Sequence, residues 1–580
     1  MRRPGLIVGI AVAILAVTLW RLTQPVPPHD LRLTELTFDA GFAGWPAISA
    51  DGGKVAYASD GGGGGNLDLY VQQVPGGHPV RLTETADDES EPAFSPDGAT
   101  LAYRSTRDGG GIYLMPAAGG ESHLLAPGGH TPRYSPDGRW IAFSNASGAY
   151  VIASSGGTPR PFHREFPGLR TPAWSPDGRA LVFWAQADLW VAPLDGGAPE
   201  PTGLAARTAQ AGLGPGPFED GTWTAAGFLF SARTGVVRNL YRCPLDSHGK
   251  AAGDAIRLTN GTELIGDAAA SRDGRVVFAA GRQRFDIWGL PLDGNTGKPT
   301  GAPYRITGSL APTANPDLSA DGRKLLFGSA RNGYTEVWEK DLSTGRESVA
   351  ASGAEGATYG RWLKTSGRIV YARPAAAHND VYLGDRELAA GARPWDVDTA
   401  ETTLLLTGQG IDALDLRTGQ RAPLIRAPPH TTLSRASFSP DGRWILFLAE
   451  AAPGSVAPAA RIYVAPAAYI YAAPARDNQW LPLTDGANKV DHPRFSPGGG
   501  VIYYTLDGDG TRAIQALRFD PRAGRPLGEP FPVFQPRNPR LSLFDVNPQA
   551  QEIAVARDKL VMILCESTFT IWMGDLVPQR

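Results

Sequence analysis

The tetrapeptide Ser-Pro-Asp-Gly returns four times in this chain. The copies are Ser95-Pro96-Asp97-Gly98, Ser135-Pro136-Asp137-Gly138, Ser175-Pro176-Asp177-Gly178 and Ser439-Pro440-Asp441-Gly442. Each follows an aromatic residue (Phe94, Tyr134, Trp174, Phe438) and precedes an apolar burst such as Trp140-Ile141-Ala142-Phe143. Worn copies stand at Ser49-Ala50-Asp51-Gly52, Ser271-Arg272-Asp273-Gly274, Ser319-Ala320-Asp321-Gly322 and Ser496-Pro497-Gly498-Gly499. The chemistry is that of a tight turn. Proline presets φ at the first corner, aspartate accepts bonds from nearby backbone N–H groups, and glycine takes the positive φ that closes the turn.

The flanks read as strands, because their apolar residues are aromatic or β-branched and bounded by turn residues. A third strand recurs as Gly111-Ile112-Tyr113-Leu114-Met115, Asp188-Leu189-Trp190-Val191 and Glu336-Val337-Trp338, followed by Gly119-Gly120, Gly156-Gly157 or Gly196-Gly197. A fourth ends in an apolar-Thr step, as in Arg81-Leu82-Thr83, Arg257-Leu258-Thr259 and Arg305-Ile306-Thr307. The unit recurs every 40 to 50 residues or so, the period of four-stranded propeller blades. The fold class expected is all-β.

This unit resembles the WD40-like repeat of the TolB-type propeller family, and the resemblance covers nearly the whole chain after about residue 30. It implies an architecture more firmly than an activity, since function lives in sites grafted on folds. TolB-like proteins work in envelope complexes. Similar arrays form the outer, sensory part of bacterial winged-helix regulators behind a single transmembrane helix. No winged helix precedes Met1, so direct DNA binding is not expected.

At 580 residues the chain is too long for one ordinary core. Aligning the apolar residue that ends each first strand gives Ile48, Phe94, Tyr134, Trp174, Trp223, Ala270, Leu318, Trp362, Val397, Phe438, Phe495 and Val546. These units suit two consecutive β-propellers of about six four-stranded blades each, expected over 31–300 and 301–580. Arg32-Leu33-Thr34 reads as a fourth strand before any first strand, and Ile571-Trp572-Met573 as a third strand with no fourth after it. A ring closes well when the first strand of the chain completes the last blade, because this removes the open sheet edges. Tyr304 to Thr307 suits the same task in a second ring. A five-plus-seven division and a strand exchanged between rings remain alternatives.

Residues 1–24 differ from the rest. Arg2 and Arg3 precede an uncharged apolar run from Leu6 to Trp20, followed by Arg21. The run reads as one N-terminal transmembrane helix, an uncleaved signal anchor with its N-terminus in the cytoplasm, with a cleaved signal as the alternative. Residues 25–30 would be a linker. Either reading places the bulk outside the cytoplasm, and the anchor points to the inner membrane, single-pass, with a periplasmic C-terminal bulk.

The formal net charge is −3 and no lysine-rich run exists, so no nucleic-acid partner is expected. Cys243 and Cys565 are read as two unpaired, buried thiols. Neither Cys-x-x-Cys nor His-x-x-x-His occurs, so no metal and no cofactor is expected. Leu506-Asp507-Gly508-Asp509-Gly510 resembles a scrap of a calcium loop but lacks the later glutamate, and reads as a hairpin turn. The Ala/Pro-rich stretch Ala451 to Ala475 reads as a solvated insertion. Without Gly-x-Ser-x-Gly the α/β-hydrolase that accompanies propellers in prolyl-oligopeptidase-type enzymes is not expected. The repeated aspartates Asp97, Asp137, Asp177, Asp273, Asp321 and Asp441 sit at one turn position, which capping explains without catalysis.

The first strand of a blade lines the central channel, so residues just before it face the channel mouth. Polar residues there, each near a proline, form the candidate binding set: Glu91, His130, Thr131, Arg170, Asn315, Asp491 and His492. They suit a peptide or small ligand, or they simply tie neighbouring blades together. No catalytic residue is assigned. The reading is a membrane-anchored, extracytoplasmic TolB-like scaffold that binds a protein or peptide partner or acts as a sensor. The alternative is a propeller enzyme or small-ligand sensor acting on envelope glycans or peptides, with Glu91, His130 and Arg170 as its candidate groups.

Overall fold

The computed structural model describes residues 33–575 apart from 39–40, 64, 146, 164, 167–168, 214–220, 235–236, 310, 376–377, 409, 452–460, 467–479, 486–488, 509–510, 537–539 and 544–551. The anchor segment 1–24, the linker 25–30 and residues 452–460 and 467–475 of the 451–475 stretch lie outside the described residues; Arg461–Pro466 within that stretch is not solvated loop but a strand paired with Trp444–Ala449, where its alternating apolar residues complete a sheet. Among the described residues no helix is long and apolar enough to cross a membrane.

The turns are built as their sequence dictates. Ser95 Oγ donates to Asp97 Oδ1 at 2.5 Å, the N–H of Ala99 donates to the same oxygen at 3.0 Å, and Gly98 N donates to Ser95 O at 2.8 Å. Gly98 takes φ +68°, which a Cβ would strain. The Ser-to-Asp bond recurs at 2.6 Å in Ser135–Asp137, Ser175–Asp177, Ser319–Asp321 and Ser439–Asp441. Each turn joins the first two strands of an antiparallel sheet. One example runs Glu89–Phe94, Thr100–Ser105, Gly111–Pro116, His123–Pro127.

The described chain divides into two compact units. Unit 1 comprises Leu67–Arg282 with the described residues of Met1–Gly62 and Phe569–Arg580, and unit 2 comprises Gln283–Thr568 with the described residues of Gly63–Asn66.

Within unit 1 six first strands touch in a closed circuit: Ala43–Ile48, Glu89–Phe94, His130–Tyr134, Arg170–Trp174, Thr222–Thr224, Leu264–Ala270 and back to the first, the last two strands belonging to one continuous sheet. Apolar side chains fill the space between successive sheets, as where Tyr103 and Tyr113 pack with Ala56, Ala58 and Phe94. The last sheet is assembled from distant parts of the chain. Its first strand is Leu264–Ala270, and its outer edge is Leu33–Glu35, paired antiparallel with the segment Trp572–Gly574. Leu36 N donates to Ile571 O at 2.7 Å to extend that ladder.

Within unit 2 the corresponding circuit is Thr313–Leu318, Thr358–Trp362, Pro394–Val397, Thr431–Phe438, Lys489–Phe495 and Ala554–Val555. Val546, the residue expected to end the twelfth first strand, lies outside the described residues, and Val555 holds that place. Tyr304–Arg305 pairs with Trp288 and Gly289, the closing part read for it in the sequence. Where the repeat divides the chain at 300/301, the described residues assign 283–300 to unit 2 and 569–575 to unit 1. The reason lies in two long strands, Arg275–Asp293 and Lys559–Asp575, whose residues are divided between the units.

Candidate channel site

Counting four residues back from the first residue of each turn reaches the same place in every sheet. In unit 1 that position holds Trp45, Glu91, Thr131 and Asp267; in unit 2 it holds Asn315, Tyr359, Arg435, His492 and Glu552. At all of these but Glu552, which stands two residues before its strand, it is a β-bulge: the register of the first strand shifts between Ser90 and Ala93, His130 and Arg133, Ala314 and Asp317, Thr358 and Arg361, Ser434 and Ser437, and Asp491 and Arg494. A bulge re-aims a side chain out of the strand alternation. These residues take left-handed backbone: Glu91 φ +56°, Thr131 +49°, Asn315 +51°, Arg435 +59°, His492 +56°. Non-glycine residues hold such angles only when their surroundings over-determine them, and they cluster at functional sites.

The sequence-derived candidates fall on these bulges or next to them. In unit 1, Glu91 is buried and its Oε2 accepts from Thr131 N at 2.5 Å, a link from one sheet to the next. Thr131 Oγ1 lies 3.2 Å from Ser144 Oγ. His130 opens its strand, half-buried, opposite Ser144. Arg170 begins the strand Arg170–Trp174, and its side chain lies outside the described residues, as does that of Thr171.

In unit 2, Asn315 is buried, and its Nδ2 donates to Thr358 Oγ1 at 3.4 Å while its Oδ1 lacks a hydrogen-bond partner among the described residues. His492 is 1 % exposed, with Nδ1 3.2 Å from Thr505 Oγ1. Asp491 accepts from Arg435 Nε at 3.2 Å. His130 and His492 belong to different units, as the sequence spacing implied. No group of three or more His, Cys, Asp or Glu able to hold a metal is found among the described residues.

The strongest constellation is one the sequence reading did not assemble. Glu552, 1 % exposed, accepts from Arg435 Nη1 at 2.7 Å and from Arg494 Nη2, and lies 3.5 Å from Arg361 Nη2. Burial alone would push its carboxyl up; the guanidinium groups of Arg494, Arg435 and Arg361 outweigh burial and hold it well below the usual carboxylate range. Burial acts against the charge on Arg435 as well, and Glu552 and Asp491 outweigh it. Arg393 joins the group, its guanidinium 4.1 Å from the Tyr359 ring centre and 5.3 Å from that of Trp395. Its pKa is lowered, by burial first and by the charges of Arg435 and Arg361 as well, while Tyr359 and Glu552 oppose the shift.

Two residues further along the strands a second layer carries Asp317, Arg361, Asp396, Ser437 and Arg494. Here the side chains link sheet to sheet. Asp317 Oδ2 accepts from Trp362 N at 2.9 Å, Arg361 Nε donates to Trp395 O at 3.0 Å, and Asp396 Oδ2 accepts from Phe438 N at 3.0 Å. Lys364 Nζ lies 2.8 Å from Asp396 Oδ1. The signal for these residues was in the sequence. Arg435 and Glu552 stand at the same offset before their turns as Glu91 and His492. Glu552 was passed over because its turn, Ala556-Arg557-Asp558-Lys559, has lost every letter of the motif except the aspartate.

Guanidinium groups do not exchange protons near neutrality, and they bind carboxylates and phosphates through paired N–H donors. The arrangement is therefore suited to binding rather than to proton transfer.

Comparison with known proteins agrees with the repeat. Residues 32–189 match the TolB beta propeller domain, so that part of the chain carries the TolB-type repeat the motifs pointed to. The uncharacterized protein Atu1656 of Agrobacterium fabrum (strain C58) is 26% identical over 164 residues, 28% of this chain and 45% of that protein, so the match spans less than half of that relative. Among solved structures, a candidate TolB of Agrobacterium tumefaciens aligns with 49% of this chain and 98% of its own at 15% identity and a TM-score of 0.37. TolB from Acinetobacter baumannii covers 60% of this chain and 81% of its own at 12% identity and a TM-score of 0.32. The tricorn protease covers 89% of this chain and 54% of its own at 13% identity and a TM-score of 0.32.

Proposed function

We propose that this chain is a non-catalytic binding or sensory scaffold, two β-propeller rings carried outside the cytoplasm on an N-terminal membrane anchor. The rings hold a protein or peptide partner at the channel mouth, where the first strands of their sheets converge. The observation that carries this reading is the convergence itself. Polar and charged side chains recur at the bulges, and in unit 2 they include Arg435, with Arg361 and Arg494 two residues past the bulges of their own strands, around Glu552. The TolB match over 32–189 supports a protein-binding role. The apolar run from Leu6 to Trp20, behind Arg2 and Arg3, supports the anchor and an inner-membrane location.

The test has two parts. Fractionation of cells expressing the full chain should leave it in the carbonate-washed membrane, with its bulk degraded by protease added from outside; full-length protein in the soluble fraction would refute the anchor. In-cell crosslinking and affinity capture should yield a stoichiometric envelope partner that is lost when Glu91, His130 and His492 are replaced together by alanine. Retention of the partner by that variant would refute the assigned face.

A further inference from the structure

We infer that the arginine cluster of unit 2 is a binding site for a compact oxyanion, a carboxylate carried by a small acid or by the C-terminus of a peptide. The first ground is charge. Five cationic side chains, Arg361, Arg393, Arg435, Arg494 and Lys364, are joined with four carboxylates, Glu552, Asp491, Asp317 and Asp396, through ion pairs, hydrogen bonds and direct electrostatic contact. The described cluster therefore holds one more cationic side chain than carboxylates. Excess positive charge partly withdrawn from water is stabilised when a counter-ion joins it.

The second ground is an unfilled donor. The Arg361 side chain is 4% exposed, and its Nη2 has no hydrogen-bond partner among the described residues, although Glu552 Oε1 stands 3.5 Å away. Buried donors in folded proteins are nearly always satisfied, and an exception calls for an ion or a ligand. The third ground is access. Arg393, Tyr359 and Arg494 are only partly buried, so the cluster is not sealed. Arg393 lies against Tyr359 and Trp395, which fixes the plane of its donor fork. A planar, preset fork is the geometry that takes both oxygens of one carboxylate.

The site depends neither on the anchor nor on a protein partner. Glu552 is the built-in competitor: its carboxylate already occupies part of the donor set, so removing its charge frees donors for the ligand. The role proposed for it is therefore opposite in sign to that of the arginines.

The experiment is calorimetric titration of the full chain with succinate, and with a dipeptide as its free acid and as its C-terminal amide, at ionic strength matched with sodium chloride. Saturable binding of succinate or of the free-acid dipeptide is expected. Arg393→Gln, at a partly exposed position, should weaken it about 10- to 100-fold, the loss of a charged hydrogen bond. Arg443→Gln, an exposed turn residue paired with Asp441, should leave it unchanged. Glu552→Gln, checked for folding by circular dichroism, should bind more tightly. Binding of the free-acid dipeptide but not its amide assigns the peptide terminus as the source, and binding of succinate alone assigns a small acid. Heat that tracks ionic strength without saturating, equal binding by Arg393→Gln, or weaker binding by folded Glu552→Gln would each overturn the proposal.

Discussion

Arg435 Nη1 donates to Glu552 Oε1 at 2.7 Å across 117 residues of sequence, with the two side chains 5% and 1% exposed. Arg435 stands on the fourth first strand of unit 2 and Glu552 beside the sixth, so the pair reaches past the fifth within its own ring. Truncating one member of a buried pair leaves the other charge stranded, at a cost of about 3–5 kcal/mol. Glu552→Ala should therefore lower the denaturant midpoint of unit 2 markedly. Arg443→Ala, which breaks an exposed pair with Asp441 and leaves the turn bonds in place, should cost at most about 1 kcal/mol. Urea unfolding of the two variants side by side decides it, and equal midpoints would contradict the assignment.

The repeated turn makes an acid-side prediction. The hydroxyl of Ser135, with the N–H and side chain of Arg139, holds the Asp137 carboxyl down to about 2, and Asp97, Asp177 and Asp321 are lowered through the same serine bond. A depressed carboxyl contributes stability that is fully present above the unfolded-state pKa and is lost as pH falls through the folded value. Stability should thus decline between about pH 4 and pH 2. In Ser135→Ala the Asp137 resonance, followed by carbon-detected NMR, should titrate nearer the ordinary value. An unchanged titration would show that the serine does not set it.

The closing strand of unit 1 can be tested with one hydroxyl. Thr37 Oγ1 accepts from the N–H of Ile571 at 2.8 Å, and Ile571 is fully buried. Thr37→Val keeps the shape and removes the acceptor, which leaves a buried N–H unpaired at about 1–3 kcal/mol. Hydrogen exchange at Ile571 should accelerate, with little change at strands on the far side of the same ring.

Cys243 and Cys565 are both unpaired and 0% exposed, and burial pushes each thiol up to about 11. The thiolate is the reactive form, so native protein should not react with a disulfide reagent at pH 8, and both thiols should react after denaturation. Rapid modification of either in the native state would contradict its burial.

Much of this was legible because turn chemistry is local. Ile48, Phe94, Tyr134, Trp174, Ala270, Leu318, Trp362, Val397, Phe438 and Phe495 each end a first strand where the repeat put them. Even the eroded turn after Trp362 kept its geometry, with Leu363 N donating to Arg368 O at 2.8 Å. The repeat failed at Val546, because the strand Ala554–Val555 is two residues long and its turn has no serine, proline or glycine. Missing that strand meant missing Glu552, the carboxylate around which Arg361, Arg435 and Arg494 gather. The terminal pieces were legible too: the fourth strand at Leu33 with no first strand before it and the third strand at Trp572 with no fourth after it stand side by side, Leu33 opposite Gly574.

The strand Leu33–Glu35 needs Trp572–Gly574 as its neighbour. A ribosome therefore delivers the whole of 283–568 before unit 1 can be completed, although most of unit 1 is made first. During synthesis the early sheets must wait as an open arc with an unmatched edge, exposed to chaperones and proteases. Truncations anywhere upstream of Phe569 should accordingly be cleared by the cell's quality control rather than persist as half-length products.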